Sequence, residues 1–283
     1  MAEPPGFFEC TSHAGLPCWR LTLSGGDQLL VAGHGGHVLS WRAQGVERLY
    51  LSPGAQLDGV GPIRGGVPVC FPQFNQRGNL PKHGFARVLP WQLKSWSAHA
   101  DCAELSLALT ESAATQALWP CHFELVLALT LTPGRLHMRL TLHNRGDQVL
   151  TFTGALHSYL RLHALEDCRL SGLGAQSEWD AVRDTHGLGA QALRFDGEFD
   201  RVYRASLLPL ELDSGQSRLS LTQGGGWSDT VVWNPGAQKC AQLADMPPDG
   251  YRHMLCVEAA RVFEPAQVEA GASWQGWQAL ALA

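Results

Sequence analysis

Residues 136–165, LHMRLTLHNRGDQVLTFTGALHSYLRLHAL, alternate apolar and polar side chains, turn at Asn144–Asp147, and alternate again. A period of two puts every second side chain on one face, which is the signature of a half-buried β-strand. The pattern recurs in CAELSLALT (102–110), CHFELVLALTLTPG (121–134), LPLELDSGQSRLSLTQ (208–223), DTVVWNP (229–235) and HMLCVEAARVF (253–263). No convincing amphipathic helix accompanies these strands, beyond a helical turn near 111–119 in ESAATQALWP. The 31 glycines and 16 prolines fall between the runs, where turn chemistry wants them. Many short strands across 283 residues, with no low-complexity linker, predict an all-β fold of large antiparallel sheets in one domain, 1–283.

Composition narrows the function. A net charge of −5 with interspersed charges argues against nucleic-acid binding, which needs a concentrated cationic face. The N-terminus MAEPPGFFEC lacks the charged and apolar regions of a signal peptide, and no apolar run is long enough for a membrane-spanning helix. The eight cysteines are scattered without a CxxC pair, as expected for reduced thiols in a cytoplasmic protein. There is no GxGxxG, no P-loop and no GxSxG. His34 and His37 in GHGGH form an HxxH pair, but no third ligand follows at a recognisable spacing, which disfavours a metal site.

Six stretches carry candidate chemistry. Taken as a strand, TFTGALHSYLRLH (151–163) puts Thr153, Ala155, His157, Tyr159, Arg161 and His163 on one face. Phe152, Leu156, Leu160 and Leu162 take the other. The polar face suits the floor of a cleft, although alone it reads more readily as a solvated outer surface. In HMLCVEAARVF, Glu258 shares a face with Met254, Cys256 and Ala260, while the opposite face is also apolar. A carboxylate so placed needs a partner or a raised pKa: an arginine ion pair and a general base fit equally well. PKHGFARVLPW (81–91) gathers Lys82, His83 and Arg87. In GPIRGGVPVCFPQF, Arg64 precedes two glycines, which would let the backbone approach a ligand closely. FDRVYR offers Asp200, and a long loop over 231–254 contains Trp233, Asn234, Lys239 and Asp245.

In chain order, RGGVPVCFPQF, KHGFAR, ALHSYL, DRVY, VVWNP with ADMPPDGY, and CVEAA form a series. That series resembles the glucose-6-phosphate 1-epimerase (hexose-6-phosphate mutarotase) family of the aldose 1-epimerase group, over a motif-bearing core of about 15–280. The resemblance implies a galactose-mutarotase-like β-supersandwich, a cytosolic enzyme working as a monomer, and neither metal nor organic cofactor. It matches His157 with the family's catalytic histidine and Glu258 with its catalytic carboxylate. Arg64, Lys82, Arg87 and Asp200 fall at substrate-binding positions, with Lys82 where glutamine is common. Phe71 stands where the family usually has tryptophan, and Gly236 where it has bulkier residues.

The expected reaction is isomerisation of a hexose 6-phosphate between its α and β anomers. Glu258 would act as the base, His157 as the imidazolium acid and His83 as a second imidazole near the ring oxygen. Arg64, Lys82 and Arg87 would hold the phosphate. A non-catalytic sugar-phosphate binding module, an epimerase of neutral sugars and a metal-dependent isomerase are the alternatives.

Overall fold

The computed structural model describes residues 6–283. Three antiparallel sheets hold most of the strands: five strands at the N-terminus, then sheets of nine and eight. The expected alternation is visible in the nine-stranded sheet. Strand Phe123–Thr132 pairs with Arg135–Asn144 from Arg135↔Thr132 to Asn144↔Phe123, and both bury every second residue. The all-β expectation is met. Helix is confined to short pieces: Ala113–Leu118, where the turn near 111–119 was expected, and Gly236–Cys240, within what reads as loop in the sequence. Ser112 caps the first, accepting from the backbone N–H of Thr115 at 3.2 Å.

The main core draws on all three sheets and runs from Leu21 to Leu280. The eight-stranded sheet turns Phe152, Leu156, Leu160, Leu255, Val257 and Ala259 into it, and Leu162, just past strand Tyr159–Arg161, joins them. The alternate residues Met254, Cys256 and Ala260 pack in smaller clusters elsewhere. The face assignments made from the sequence therefore hold in both segments, but 151–163 is not one strand. Leu150–Leu156 ends before His157, and Tyr159–Arg161 resumes after a two-residue break. His157 donates its backbone N–H to the Pro68 carbonyl at 3.0 Å, and Tyr159 donates to Gly66 at 2.9 Å.

Gly65 and Gly66 serve a purpose other than the one expected from sequence. Both have positive φ, and a Cβ on Gly65 would lie 2.4 Å from the Tyr50 carbonyl oxygen. One on Gly66 would lie 2.2 Å from that of Val38. The glycines let the chain pass close to its own neighbouring backbone, and that passage fixes where Arg64 emerges.

Candidate active site

Strand register builds the floor of the site. Tyr159 pairs with Cys256, Cys256 with Trp233, and Trp233 with Asp200, so four side chains lie in a row across adjacent strands on one face. One step along, Glu258 pairs with Val231. His157 sits two residues before Tyr159, and their rings stack at 4.8 Å with an interplanar angle of 11°. A cavity of about 210 Å³ lies over this floor, lined among others by His83, His157, Asp200 and Glu258, with Arg64, Lys82, Arg87 and Lys239 contributing cations. All seven residues singled out for catalysis or substrate binding thus line one cavity. Of the four residues expected in a loop over 231–254, Trp233, Lys239 and Asp245 line it too and Asn234 does not, and Trp233 and Asn234 belong to strand Asp229–Asn234 rather than to a loop.

His157 and Glu258 meet directly, with Nε2 3.3 Å from Oε1. Glu258 is 1% exposed, and its partner is this imidazole rather than an arginine. His157 Nδ1 and Glu258 Oε2 have no hydrogen-bond partner among the described residues. Burial pushes the Glu258 carboxyl well above its ordinary range, and the neighbouring Asp200 adds to this. Burial holds the His157 imidazole well below its ordinary value, reinforced by His83, Arg64 and Arg87. Both effects favour the neutral forms. The pair is therefore biased toward a protonated carboxyl beside a neutral imidazole and away from carboxylate and imidazolium.

His83 reaches the cavity through an unusual backbone. Its φ is +65° and that of Gly84 is +69°; a Cβ on Gly84 would come within 2.1 Å of the Phe71 carbonyl oxygen. The His83 ring stands edge-on to His157 at 5.5 Å. Its Nδ1 accepts from the Asn75 backbone N–H at 3.3 Å, which leaves the ring proton on Nε2 as a donor. Burial and then the three cations Arg87, Lys82 and Arg64 bring its pKa down to about 3, so it is neutral.

The cations are not equivalent. Arg64 donates from Nε to both carboxylate oxygens of Asp245, at 3.1 and 3.2 Å, and from Nη1 to the Tyr159 hydroxyl at 3.1 Å. Burial opposes its charge, but Tyr159 and Asp245 outweigh that and raise its pKa. Lys239 pairs with Glu198. Lys82 and Arg87 form no ion pair among the described residues. Arg87 donates from Nη2 to the Lys82 carbonyl at 2.7 Å and keeps a buried, unpartnered Nε. Burial lowers the Lys82 pKa, as do the nearby Lys239, Arg64 and Arg87. Asp200 is raised mainly by burial. Its neighbour Arg201 points elsewhere, to Glu178 and Asp180. The grip of Asp245 on Arg64 has no local sequence signal, since 181 residues separate them.

As for metal ligands, His34 and His37 do not form a pair. His34 Nε2 bonds the Gly61 carbonyl at 2.8 Å and His37 Nε2 bonds that of Gly65 at 2.7 Å. His157, Cys256 and Glu258 do come together, with ligand atoms within 4.8 Å of one another. Such a trio suits a borderline-soft ion, although burial pushes the Cys256 thiol well above its ordinary pKa, away from the thiolate a metal needs.

A paired imidazole and carboxyl thus lie under a cationic rim on the face of the eight-stranded sheet turned away from the main core. The family model for aldose 1-epimerase matches residues 17–281. The chain belongs to the aldose 1-epimerase family. A relative from Escherichia coli K12, provisionally named a glucose-6-phosphate 1-epimerase, is 36% identical over 245 residues, covering 83% of this chain and 80% of the relative. One from Cenchrus ciliaris, with the same provisional name, is 32% identical over 259 residues, covering 87% and 79%. The crystal structure of a provisionally assigned mutarotase from Salmonella typhimurium superposes with a TM-score of 0.90 at 28% identity, covering 98% of this chain and 93% of that one. This aldose 1-epimerase family member therefore has the galactose-mutarotase-like sandwich expected from its motifs.

Proposed function

We propose that the chain is a hexose-6-phosphate mutarotase, an isomerase that interconverts α and β anomers, with glucose 6-phosphate as its first candidate substrate. The observation that carries this reading is the 3.3 Å contact between His157 and Glu258 inside a cavity rimmed by Lys82 and Arg87. Ring opening needs a proton removed from the C1 hydroxyl and one delivered to the ring oxygen as the C1–O5 bond breaks. Closure on the other face after rotation about C1–C2 reverses both transfers. A pair holding one proton supplies one acid and one base, with no covalent intermediate and no net change in charge.

The phosphate has a further effect on that proton. Arg64 and Arg87 are among the charges that hold His157 neutral. A dianion seated against them offsets their field, so a phosphorylated sugar favours transfer of the proton from Glu258 to His157. Glu258 then takes the C1 proton as carboxylate and His157 protonates O5 as imidazolium. Asp200 orients the hydroxyls, and the Nε2–H of His83 donates near the ring oxygen. Lys82 and Arg87, free of carboxylate partners, hold the phosphate. Arg64 contributes the guanidinium edge that Asp245 and Tyr159 leave open. The reading takes residues 1–283 as one catalytic unit, acting in the cytoplasm as a monomer without metal or cofactor. No helix of the described residues is long and apolar enough to cross a membrane.

Exchange spectroscopy of the anomeric protons tests the reading against a panel of hexose 6-phosphates and the free hexoses. Enzyme-accelerated exchange confined to, or much faster with, the phosphorylated sugars is expected. Equal acceleration of free glucose or galactose would favour the neutral-sugar alternative, and binding without acceleration the non-catalytic one.

A further inference from the structure

The polar face of TFTGALHSYLRLH does not end at the active site. His157 and Tyr159 line the catalytic cavity, but Arg161 and His163 do not. They line a second, more open cleft of about 900 Å³ together with Arg48, Arg218 and His253. Backbone pairing brings these together: Arg161 donates its N–H to the Arg48 carbonyl at 2.9 Å, and Leu162 donates to His253 at 2.9 Å. His253 Nδ1 bonds the His163 carbonyl, also at 2.9 Å.

Arg48 makes this more than a solvated basic surface. It is 8% exposed, its Nη2 donates to the Ala43 carbonyl at 3.1 Å, and its Nε has no partner. Asp27 and Glu47 lie near enough to favour its charge, but neither forms an ion pair with it. Asp27 is occupied by the backbone N–H groups of Gln44 and Gly134. Glu47 accepts from Ser40, Trp41 and Leu49. Arg161 has no ion pair among the described residues, while Arg218 is held by Asp213 at 3.0 Å. A guanidinium this buried is costly without direct contact to a counter-ion. Here Asp27 and Glu47, the latter also lining the cleft, keep their charge but give their oxygens to backbone N–H groups and the Ser40 hydroxyl.

We propose that this cleft, lined by Arg48, Arg161 and Arg218 with His163 and His253, is a second ligand site for a small molecule carrying a diphosphate or longer phosphate chain. The cations line a cleft larger than the catalytic cavity, with room for more than one phosphate group. Planar guanidinium forks suit phosphate oxygens. The inference is independent of the sugar reading, because no lining residue is shared with the catalytic cavity.

The test is calorimetric titration of the whole chain with inorganic pyrophosphate, in wild type, Arg161→Ala and Arg87→Ala. Wild type and Arg87→Ala should both show a site that Arg161→Ala weakens tenfold or more. In wild type, the ring-proton NMR signals of His163 and His253 should shift on titration. Those shifts keep the test decisive should the variant fold poorly. Pyrophosphate binding unchanged by Arg161→Ala, or saturating without moving the His163 and His253 signals, would overturn the proposal. Citrate binding as tightly as pyrophosphate would overturn the phosphate assignment.

Discussion

Two pairs of histidines, His34 with His37 and His83 with His157, are all at least nine-tenths buried, yet only one pair has the surroundings of chemistry. In the first, each Nε2 is fixed to a backbone carbonyl, and the rings serve to hold loops in place. In the second, the rings meet edge to face in a cavity, and one of them touches a buried carboxyl. Burial alone therefore does not tell the two pairs apart. What separates the pairs is the partner: a carbonyl can only accept a hydrogen bond, whereas a carboxyl can exchange a proton.

This contrast can be broken by substitution. Replacing Glu258 by Gln or His157 by Asn should lower anomer exchange by 10²–10⁴-fold, the usual contribution of a general acid or base, measured by NMR exchange with glucose 6-phosphate. His37→Asn should instead cost stability, about 1–3 kcal/mol for the buried carbonyl of Gly65 left unpaired, with exchange per folded molecule unchanged. Denaturant titration beside the exchange assay separates the two outcomes. Loss of exchange in fully folded His37→Asn would erase the distinction.

Next in size is the phosphate grip. Arg87→Ala should raise KM for glucose 6-phosphate by roughly ten- to a hundredfold, as a lost charge-assisted contact of about 1.5–3 kcal/mol implies. Any residual turnover of free glucose should be unaffected. Asp245→Asn should have a smaller, few-fold effect, because it loosens Arg64 without removing a cation. Steady-state kinetics on both sugars checks this order, and the reverse order would make Arg64 the principal seat.

A change of pH sharpens the comparison as well. Both His37, at about 4, and His83, at about 3, have folded pKa values below the unfolded value of about 6.5. Depressed folded values mean that the unfolded chain binds these protons first. Stability contributed by the two rings is thus complete above about pH 6.5 and is lost as pH falls toward 4, by up to about 1.4 kcal/mol per pH unit for each. Thermal melts between pH 7 and 4 should steepen accordingly, and His37→Asn should remove one share of the slope.

How much of this could be read in the chain depends on the distance over which each signal acts. Alternation over 123–144 and 254–260 set the strands and the inward faces, because period two is a local property of the backbone. Ordered motifs brought His157, Glu258, Arg64, Lys82, His83, Arg87 and Asp200 into view, and all seven line one cavity. The break at His157, the self-packing role of Gly65 and Gly66, and the bond from Asp245 to Arg64 depend on segments far apart in sequence. No local pattern encodes them. Protonation was the other blind spot: type and spacing suggested carboxylate and imidazolium, while burial of both groups favours the neutral pair.

The central claim is that His157 and Glu258 move protons as one unit. A double-mutant cycle tests it directly: anomer exchange with glucose 6-phosphate measured for wild type, His157→Asn, Glu258→Gln and the double variant. Shared function predicts that the double variant is scarcely slower than either single one. Losses that multiply across the cycle, or a single variant that retains wild-type exchange, would contradict it.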